Sequence, residues 1–131
     1  MNTRALLISI INVALKTNKL YCSVPLTTTN IEIVFILLQE GYLYSIVLDE
    51  DNKYNPRILL KLKYHHNKSV LKYIKLLSKP GKKHYITSKK LKALSSSHRH
   101  KKYILSTSKG IVSSEQALNE GIGGEALFEY Y

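Results

Sequence analysis

An α+β fold in two small parts is what the sequence predicts, and three observations carry that expectation. Alternating polar and apolar stretches, of which Arg57 to Tyr64 is the clearest, are interleaved with stretches whose apolar residues recur every three or four positions. Helices and strands follow one another twice over, with mostly antiparallel pairing. Charge also divides the chain: Met1 to Tyr64 holds seven Lys or Arg and five acids, whereas His65 to Tyr131 holds thirteen and four. The expected architecture is an N-terminal α-β-α-β-β subdomain over residues 1–66 and a C-terminal subdomain, mostly antiparallel β with short helices, over residues 67–131. A chain of 131 residues can bury a modest core in this way, but not several independent ones.

The first element is read from "MNTRALLISIINVAL". Leu6, Ile10, Val13 and Ala14 are spaced by three or four and predict the buried stripe of a helix. The same run has one cation near its start, yet it contains Ser9 and Asn12, no small-x-small cleavage signal follows, and it is too short to span a bilayer. A short β run from Leu20 to Val24 follows, ended by Pro25. In "TNIEIVFILLQEG", Thr29 and Glu32 have the spacing of a capping box and Gly41 that of a left-handed C-cap, which predicts a helix over Asn30 to Glu40. Apolar residues extend around much of that helix, so it is expected to be sandwiched. "YLYSIVLD" and "RILLKLKY" flank the turn-rich "EDNKYNP" and predict a hairpin with Ile58, Leu60, Leu62 and Tyr64 on its buried face.

In the second half, "SVLKYIKLL" reads as a strand that stops at the "KPG" turn, with "KHYIT" as its partner. "SKKLKAL" suits one or two helical turns, and "SSSHRHKK" is polar enough for a loop. "KYILSTS" reads as another strand. "SSEQALNEG" is expected to form a short helix, with Ser113 and Gln116 as a capping box and Gly121 beyond its end, and "EALFEYY" closes the fold as a strand.

The charge bears on function. Twenty Lys and Arg against nine Asp and Glu give +11, a positive field that draws polyanions such as nucleic acid or anionic membrane. All thirteen cations of the second half lie between Lys68 and Lys109, where no acid occurs. Apolar residues from Val70 to Leu105 interrupt that run, so it is a folded basic surface rather than a disordered tail. A peripheral membrane protein is the competing class, but only Arg4 and Lys16 flank the apolar first helix, which therefore lacks the basic face such binders use. Cys22 is the only cysteine, which excludes an internal disulfide and a multi-cysteine zinc site.

Enzymatic readings fare poorly. Ser108 and Lys109 resemble a catalytic pair, but neighbours on a strand point to opposite faces, and no partner acid, base or oxyanion donor is identifiable. "GIGGEA" matches a dinucleotide fingerprint through Gly121, Gly123 and Ala126, without the helix that fingerprint must open. The pairs His65-His66 and His98/His100 sit beside cations with no carboxylate or cysteine cluster, so polar loop histidines explain them better than a metal does, with His100 a candidate phosphate contact. No cofactor is expected.

The tyrosines say more. Tyr42, Tyr44 and Tyr64 are read as strand residues that cover a core with a wet hydroxyl edge. Tyr85 differs, because Lys82, Lys83, His84, Lys89 and Lys90 surround it in sequence, and an aromatic ring in a basic surface can stack on a base while its neighbours meet phosphates. Beside it, Ser106-Thr107-Ser108-Lys109-Gly110 offers hydroxyls that give and take hydrogen bonds in the shallow minor groove of RNA, and a glycine that permits close approach.

The segments "LLQEGYL", "LKY", "LLSKPGKKHY" and "ILSTSKGIVSSEQALNEGIGGEALFEYY" resemble the small-subunit ribosomal protein number eight family, in its bacterial and organellar form, over nearly the whole chain. The resemblance implies a non-enzymatic α+β protein that binds the central domain of small-subunit ribosomal RNA and supports assembly and translation beside neighbouring small-subunit proteins, with no membrane and no small-molecule substrate. It implies RNA contacts at Ser106, Thr107, Ser108, Lys109 and Gly110, with Tyr85 stacking nearby and Gly123, Gly124 and Glu125 forming the adjoining turn. Glu125 would accept from a base amino group or orient the serine loop, and Lys82, Lys83, Lys101 and Lys102 would supply phosphate contacts. Two departures stand out: the first helix lacks the arginines usual in the family, so that Lys16 and Lys19 replace those contacts or they are lost, and "SSSHRHKK" replaces an apolar, glycine-containing stretch. Heavy use of Lys, Ile, Asn and Tyr, with a family start that has no presequence, makes a mitochondrial ribosome the expected location, a plastid or bacterial ribosome being the alternatives.

Overall fold

The computed structural model describes residues 3–51, 53–79, 81–97 and 101–131. They form two compact units, Met1–Tyr73 and Ile74–Tyr131, each mixing helices with antiparallel strands, so the expected α+β class holds. His98, Arg99 and His100, with the Pro80 of the expected turn, lie outside the described residues.

Unit 1 begins with helix α1, Thr3–Lys16. Its buried stripe is Leu7, Ile8, Ile11 and Ala14, while Val13 is 55% exposed and Leu6 and Ile10 are half-buried. The expected stripe was therefore rotated by about one residue. With apolar side chains at Leu6, Leu7, Ile8, Ile10, Ile11, Val13 and Leu15, the spacing fits more than one face, and packing against the following strand and helix selects among them. Strand β1, Tyr21–Pro25, leads to helix α2, Thr28–Gln39. That helix starts earlier than Thr29 and Glu32 suggested. Thr27 is the N-cap, its Oγ1 accepting from the Asn30 N–H at 3.1 Å, and the buried Asn30 side chain donates back to the Pro25 carbonyl at 2.9 Å. Gly41 has φ +84, as its C-terminal position requires. Ile33, Val34 and Leu37 are buried and α2 meets both α1 and the next strand, but Phe35 faces solvent, so the helix is covered on one side rather than sandwiched.

Strands β2, Leu43–Asp49, and β3, Arg57–Leu62, form the expected hairpin, and β1 pairs with the other edge of β3 to give the order β1-β3-β2. Ile58, Leu60 and Leu62 are buried. The next residues depart from expectation. Tyr64–His65, strand β4, turns back on Lys68–Ser69, strand β5, through His66 and Asn67 at φ +51 and +65. The stretch "SVLKYIKLL" is therefore not one strand, since it contributes to β5 and then, in unit 2, to a separate strand.

Unit 2 is organised on its last strand. Strand β6 is Ile74–Leu76, β7 is Tyr85–Ile86, helix α3 is Ser88–Ser97, β8 is Lys102–Thr107, β9 is Gly110–Ser113, helix α4 is Ser114–Glu120 and β10 is Gly124–Tyr130. The expected pairing of "KHYIT" with the preceding strand does not form: β6 and β7 both pair with β10, at Phe128↔Leu76 and Gly124↔Ile86 respectively. The reason lies in the segment between them. Buried Ser78 donates to the Ala126 carbonyl and accepts from the His84 N–H, both at 2.9 Å, which fastens the connection to β10. Helix α3 continues through Ser97 into what looked like a loop, because the Ser96 and Ser97 hydroxyls donate to the carbonyls of Lys92 and Ala93 instead of breaking the helix. Helix α4 is capped as expected, Ser113 Oγ accepting from the Gln116 N–H and Gly121 adopting φ +66. One face of the sheet packs Ile86, Leu105, Val112 and Ala126 with Leu91 of α3 and Ala117 of α4.

Candidate nucleic-acid interface

The stretch Ser106 to Gly110 is a hairpin rather than the end of one strand. Strand β9, absent from the sequence reading, pairs with β8 from Ile104↔Ser113 to Thr107↔Gly110, which leaves Ser108 and Lys109 as the tip. Both tip residues keep negative φ and Gly110 takes φ +102, the form of a type I turn closed by a glycine bulge. Thr107 holds this turn: its hydroxyl donates to the Gly110 carbonyl at 2.9 Å and its oxygen accepts from the Lys109 N–H at 3.2 Å. Ser108 and Lys109 thus share a turn, not opposite faces of a strand. Ser106 and Ser108 make no side-chain hydrogen bond to any described residue.

Register fixes what lies beside the turn. Glu125 of β10 is directly opposite Ser106 of β8 on one side and Tyr85 of β7 on the other. Directly opposed residues point to the same face. Tyr85, Glu125 and Ser106 therefore form a row across three strands, on the face opposite the helix-covered Ile86, Ala126 and Leu105. Tyr85 is 66% exposed, while Glu125 and Ser106 are half-buried.

The two glycines before this row set its spacing. A Cβ at Gly124 would lie 2.4 Å from the Ser106 carbonyl oxygen, and one at Gly123 would lie 2.4 Å from the Ile86 carbonyl oxygen and 2.9 Å from the Ser88 nitrogen. Gly123 is pressed against the β7–α3 junction and Gly124 against the end of β8. They bring Tyr85 and the hydroxyl turn to adjoining places on β10.

The predicted cations divide into two groups. Lys82 and Lys83 are exposed on the connection that leads into Tyr85, and Lys109 is exposed at the turn, 3.8 Å from Glu120. Lys101 and Lys102 stand at the other end of β8, about 17 Å away at the rise of a strand. There Lys101 Nζ lies 3.1 Å from Glu129 Oε1, and Glu129 is buried to 9% exposure. That hydrogen bond holds the Lys101 pKa above its ordinary value, and burial raises that of neighbouring Tyr103. Lys101 is part of a structural ion pair that the sequence reading missed. Ser78 was missed as well; only its place directly after Leu76 and Leu77 hinted at a buried hydrogen-bonding role.

Among the described residues no group of three or more His, Cys, Asp or Glu could hold a metal, and no helix is long and apolar enough to cross a membrane. In unit 1 a groove of about 370 Å³ is lined by Ile10, Val13, Ala14, Tyr21 and Cys22, among others. Burial pushes the Cys22 thiol up to about 11, so the half-buried sulfur at the groove wall is protonated rather than a nucleophile.

Fold and surface together define a class: a two-unit α+β protein whose second unit displays an open row of tyrosine, carboxylate and hydroxyl beside exposed lysines. Within that class the particular family is clear. The family model for ribosomal protein S8 matches residues 4–131, and the chain belongs to that family. Similar curated proteins are each named small ribosomal subunit protein uS8. The one from Orientia tsutsugamushi (strain Boryong) is 33% identical over 131 residues, covering 99% of this chain and 97% of its own length. That from Legionella pneumophila (strain Lens) is 39% identical over 98 residues, with 75% and 72% covered. The relative from Mycoplasmopsis agalactiae is 36% identical over 104 residues, with 79% and 77% covered.

Proposed function

We propose that this chain is a structural constituent of the small ribosomal subunit that binds small-subunit ribosomal RNA, in its central domain, directly through unit 2, and so supports assembly and translation. The observation that carries the reading is the row Tyr85–Glu125–Ser106, set beside a turn whose Ser108 hydroxyl has no partner among the described residues. Family membership and the printed names of the relatives support the ribosomal setting.

The chemistry follows from the parts. Ser106 and Ser108 offer donors and acceptors to 2′-hydroxyls and base edges, and Gly110 keeps the turn slim enough for close approach. Tyr85 gives a ring face for stacking. Glu125 accepts only, so it selects for donors such as base amino groups and sugar hydroxyls and repels misplaced phosphates. Lys82, Lys83 and Lys109 meet phosphates, releasing counterions and making affinity salt-dependent. Thr107 acts through the turn, and Gly123 and Gly124 act through strand spacing. Lys102 supplies charge from the far end of β8, where Lys101 is already neutralised in part by Glu129. Neighbouring small-subunit proteins are the further partners.

The anionic-membrane alternative loses its insertion face, since Leu7, Ile8, Ile11 and Ala14 of α1 are buried inside the protein. For the compartment we infer a mitochondrial ribosome, on the heavy use of Lys, Ile, Asn and Tyr; the relatives named above come from bacteria. Imaging a tagged chain in its native cells tests that point, and exclusion from mitochondria overturns it.

The RNA reading is tested by binding to a central-domain fragment of small-subunit ribosomal RNA, compared with a random duplex. Ser108→Ala is expected to cost about 1–3 kcal/mol on the ribosomal fragment and little on the duplex. Equal losses on both RNAs, or none on either, overturn the specific grip.

A further inference from the structure

The sheet of unit 1 has a second face that none of its own helices covers in full. Val24, Ile58 and Leu60 are buried on one face, and the alternate residues point the other way. There the register sets Tyr21 opposite Lys61 and Lys61 opposite Ser45, with Tyr44 displaced by a bulge just before Ser45. Tyr44 was expected to cover a core; instead it is 66% exposed, and Tyr21 is 62% exposed. Lys61 Nζ lies 4.4 Å from the centroid of the Tyr44 ring and 5.8 Å from that of Tyr21. The ammonium is attracted to both rings and held at their level. Ser23, Leu59 and Val47 form the next row, and Arg57 follows, its guanidinium fixed by hydrogen bonds to the Ser23 carbonyl at 2.9 Å and hydroxyl at 3.0 Å.

Charge is graded along this sheet. Lys19, Lys61 and Lys63 lie at the end where β1 begins and β3 finishes, whereas Asp49, Glu50 and Asp51, offset in part by Arg57 opposite Asp49, lie where β2 finishes. A polyanion is favoured at the Tyr21–Lys61–Tyr44 end and disfavoured at the other. The two tyrosines stand on strands either side of β3, so their positions are about 10 Å apart. That spacing suits bases splayed out of a stack, one on each ring, with the connecting phosphate at the ammonium between them. A duplex hides its base faces and cannot use two such rings. An unpaired strand satisfies rings and cation together.

We propose that this open face of the unit 1 sheet binds a short single-stranded RNA segment, with bases stacked on Tyr21 and Tyr44 and a phosphate at Lys61. The proposal concerns a surface separate from the unit 2 row, and its failure leaves that reading intact.

The test is fluorescence anisotropy of the full chain with a labelled oligouridylate at fixed salt. Tyr21→Ala and Tyr44→Ala are each expected to weaken binding about tenfold, and Tyr44→Phe to restore it, since a phenyl ring still stacks. Lys61→Gln should reduce the salt slope by about one. Phe35→Ala, at an exposed aromatic on α2 outside both proposed surfaces, serves as the control and should leave oligouridylate affinity unchanged. Circular dichroism checks that the variants remain folded, as expected for exposed positions. Unchanged affinity in both Tyr→Ala variants overturns the proposal. So does photo-crosslinking of the assembled subunit, if probes at positions 21 and 44 capture a protein instead of RNA.

Discussion

The two units solve the problem of a half-covered sheet differently. In unit 1 the alternation is regular: Ile58, Leu60 and Leu62 point inward, Leu59 and Lys61 outward, and stability comes from apolar burial on one face. In unit 2 the central strand β10 is buried at every residue from Ala126 to Tyr130, Glu129 included, and only its first residues reach an open face. Unit 1 therefore owes its order to side-chain volume. Unit 2 adds to its own apolar core close backbone approach at Gly123 and Gly124, a buried hydroxyl at Ser78 and an ion pair at Glu129. Such devices tolerate little change, and the candidate RNA contacts sit directly on them.

The largest expected effects pair one substitution from each unit. Gly124→Ala would force a methyl to within 2.4 Å of the Ser106 carbonyl oxygen, backbone that cannot swing aside, and is expected to destabilise unit 2 by about 3 kcal/mol. Leu60→Ala in unit 1 leaves a cavity and should cost about the same. Denaturation followed by residue-resolved hydrogen exchange will separate them. Ribosomal-fragment binding per folded molecule should fall for Gly124→Ala and hold for Leu60→Ala; a loss in both would erase the functional contrast between the units.

Next in size is Tyr85→Ala. It should lower affinity for the ribosomal fragment by about 1–3 kcal/mol while leaving stability unchanged, because the ring is exposed, and Tyr85→Phe should recover most of the loss. Titration of both variants beside the wild type checks this; if phenylalanine fails to rescue, the ring acts through its hydroxyl rather than its face.

Thr107→Val removes the hydroxyl that closes the turn and should cost about 1 kcal/mol of stability, with Thr107→Ser restoring it. Chemical denaturation measures the cost. If Val matches the wild type in stability yet loses RNA, Thr107 touches the ligand itself.

The smallest contrast is in alkali. Burial raises the Cys22 thiol from its ordinary 9.0 to about 11, so the folded chain keeps a proton that the unfolded chain has lost across that interval. The associated stability is fully present below pH 9 and is lost as pH climbs to about 11. Lys101, held up by Glu129, and Tyr103, held up by burial, act with the same sign in unit 2. Cys22→Ala should flatten the alkaline decline in unit 1 protection against exchange and leave that of unit 2 unchanged. A decline that persists in unit 1 would mean that other groups govern it.

These contrasts track how readily each unit is read from its residues. The β2–β3 hairpin is legible because alternation is a local signal, and α4 because Ser113, Gln116 and Gly121 act within a single short helix. The α1 stripe was misplaced because a helix apolar on several sides does not mark which one is covered. Strand β9 went unseen because Gly110 to Ser113 is short and gains its partner only when the turn closes. The pairing of β7 with β10 depends on residues nearly forty positions apart, and no local pattern encodes it.

By itself the sequence determined the α+β class, the basic field, the hydroxyl-rich stretch and the tyrosine among lysines, since each rests on composition or on nearest neighbours in the chain. Tertiary structure alone decided which of those residues meet. It set Tyr85, Glu125 and Ser106 in one row, used Thr107 inside the turn, drew Lys101 to Glu129 and exposed Tyr21 and Tyr44 around Lys61. The physical reason is that strand register and backbone approach arise from contacts between distant residues, whereas charge and periodicity are properties of the chain before it folds.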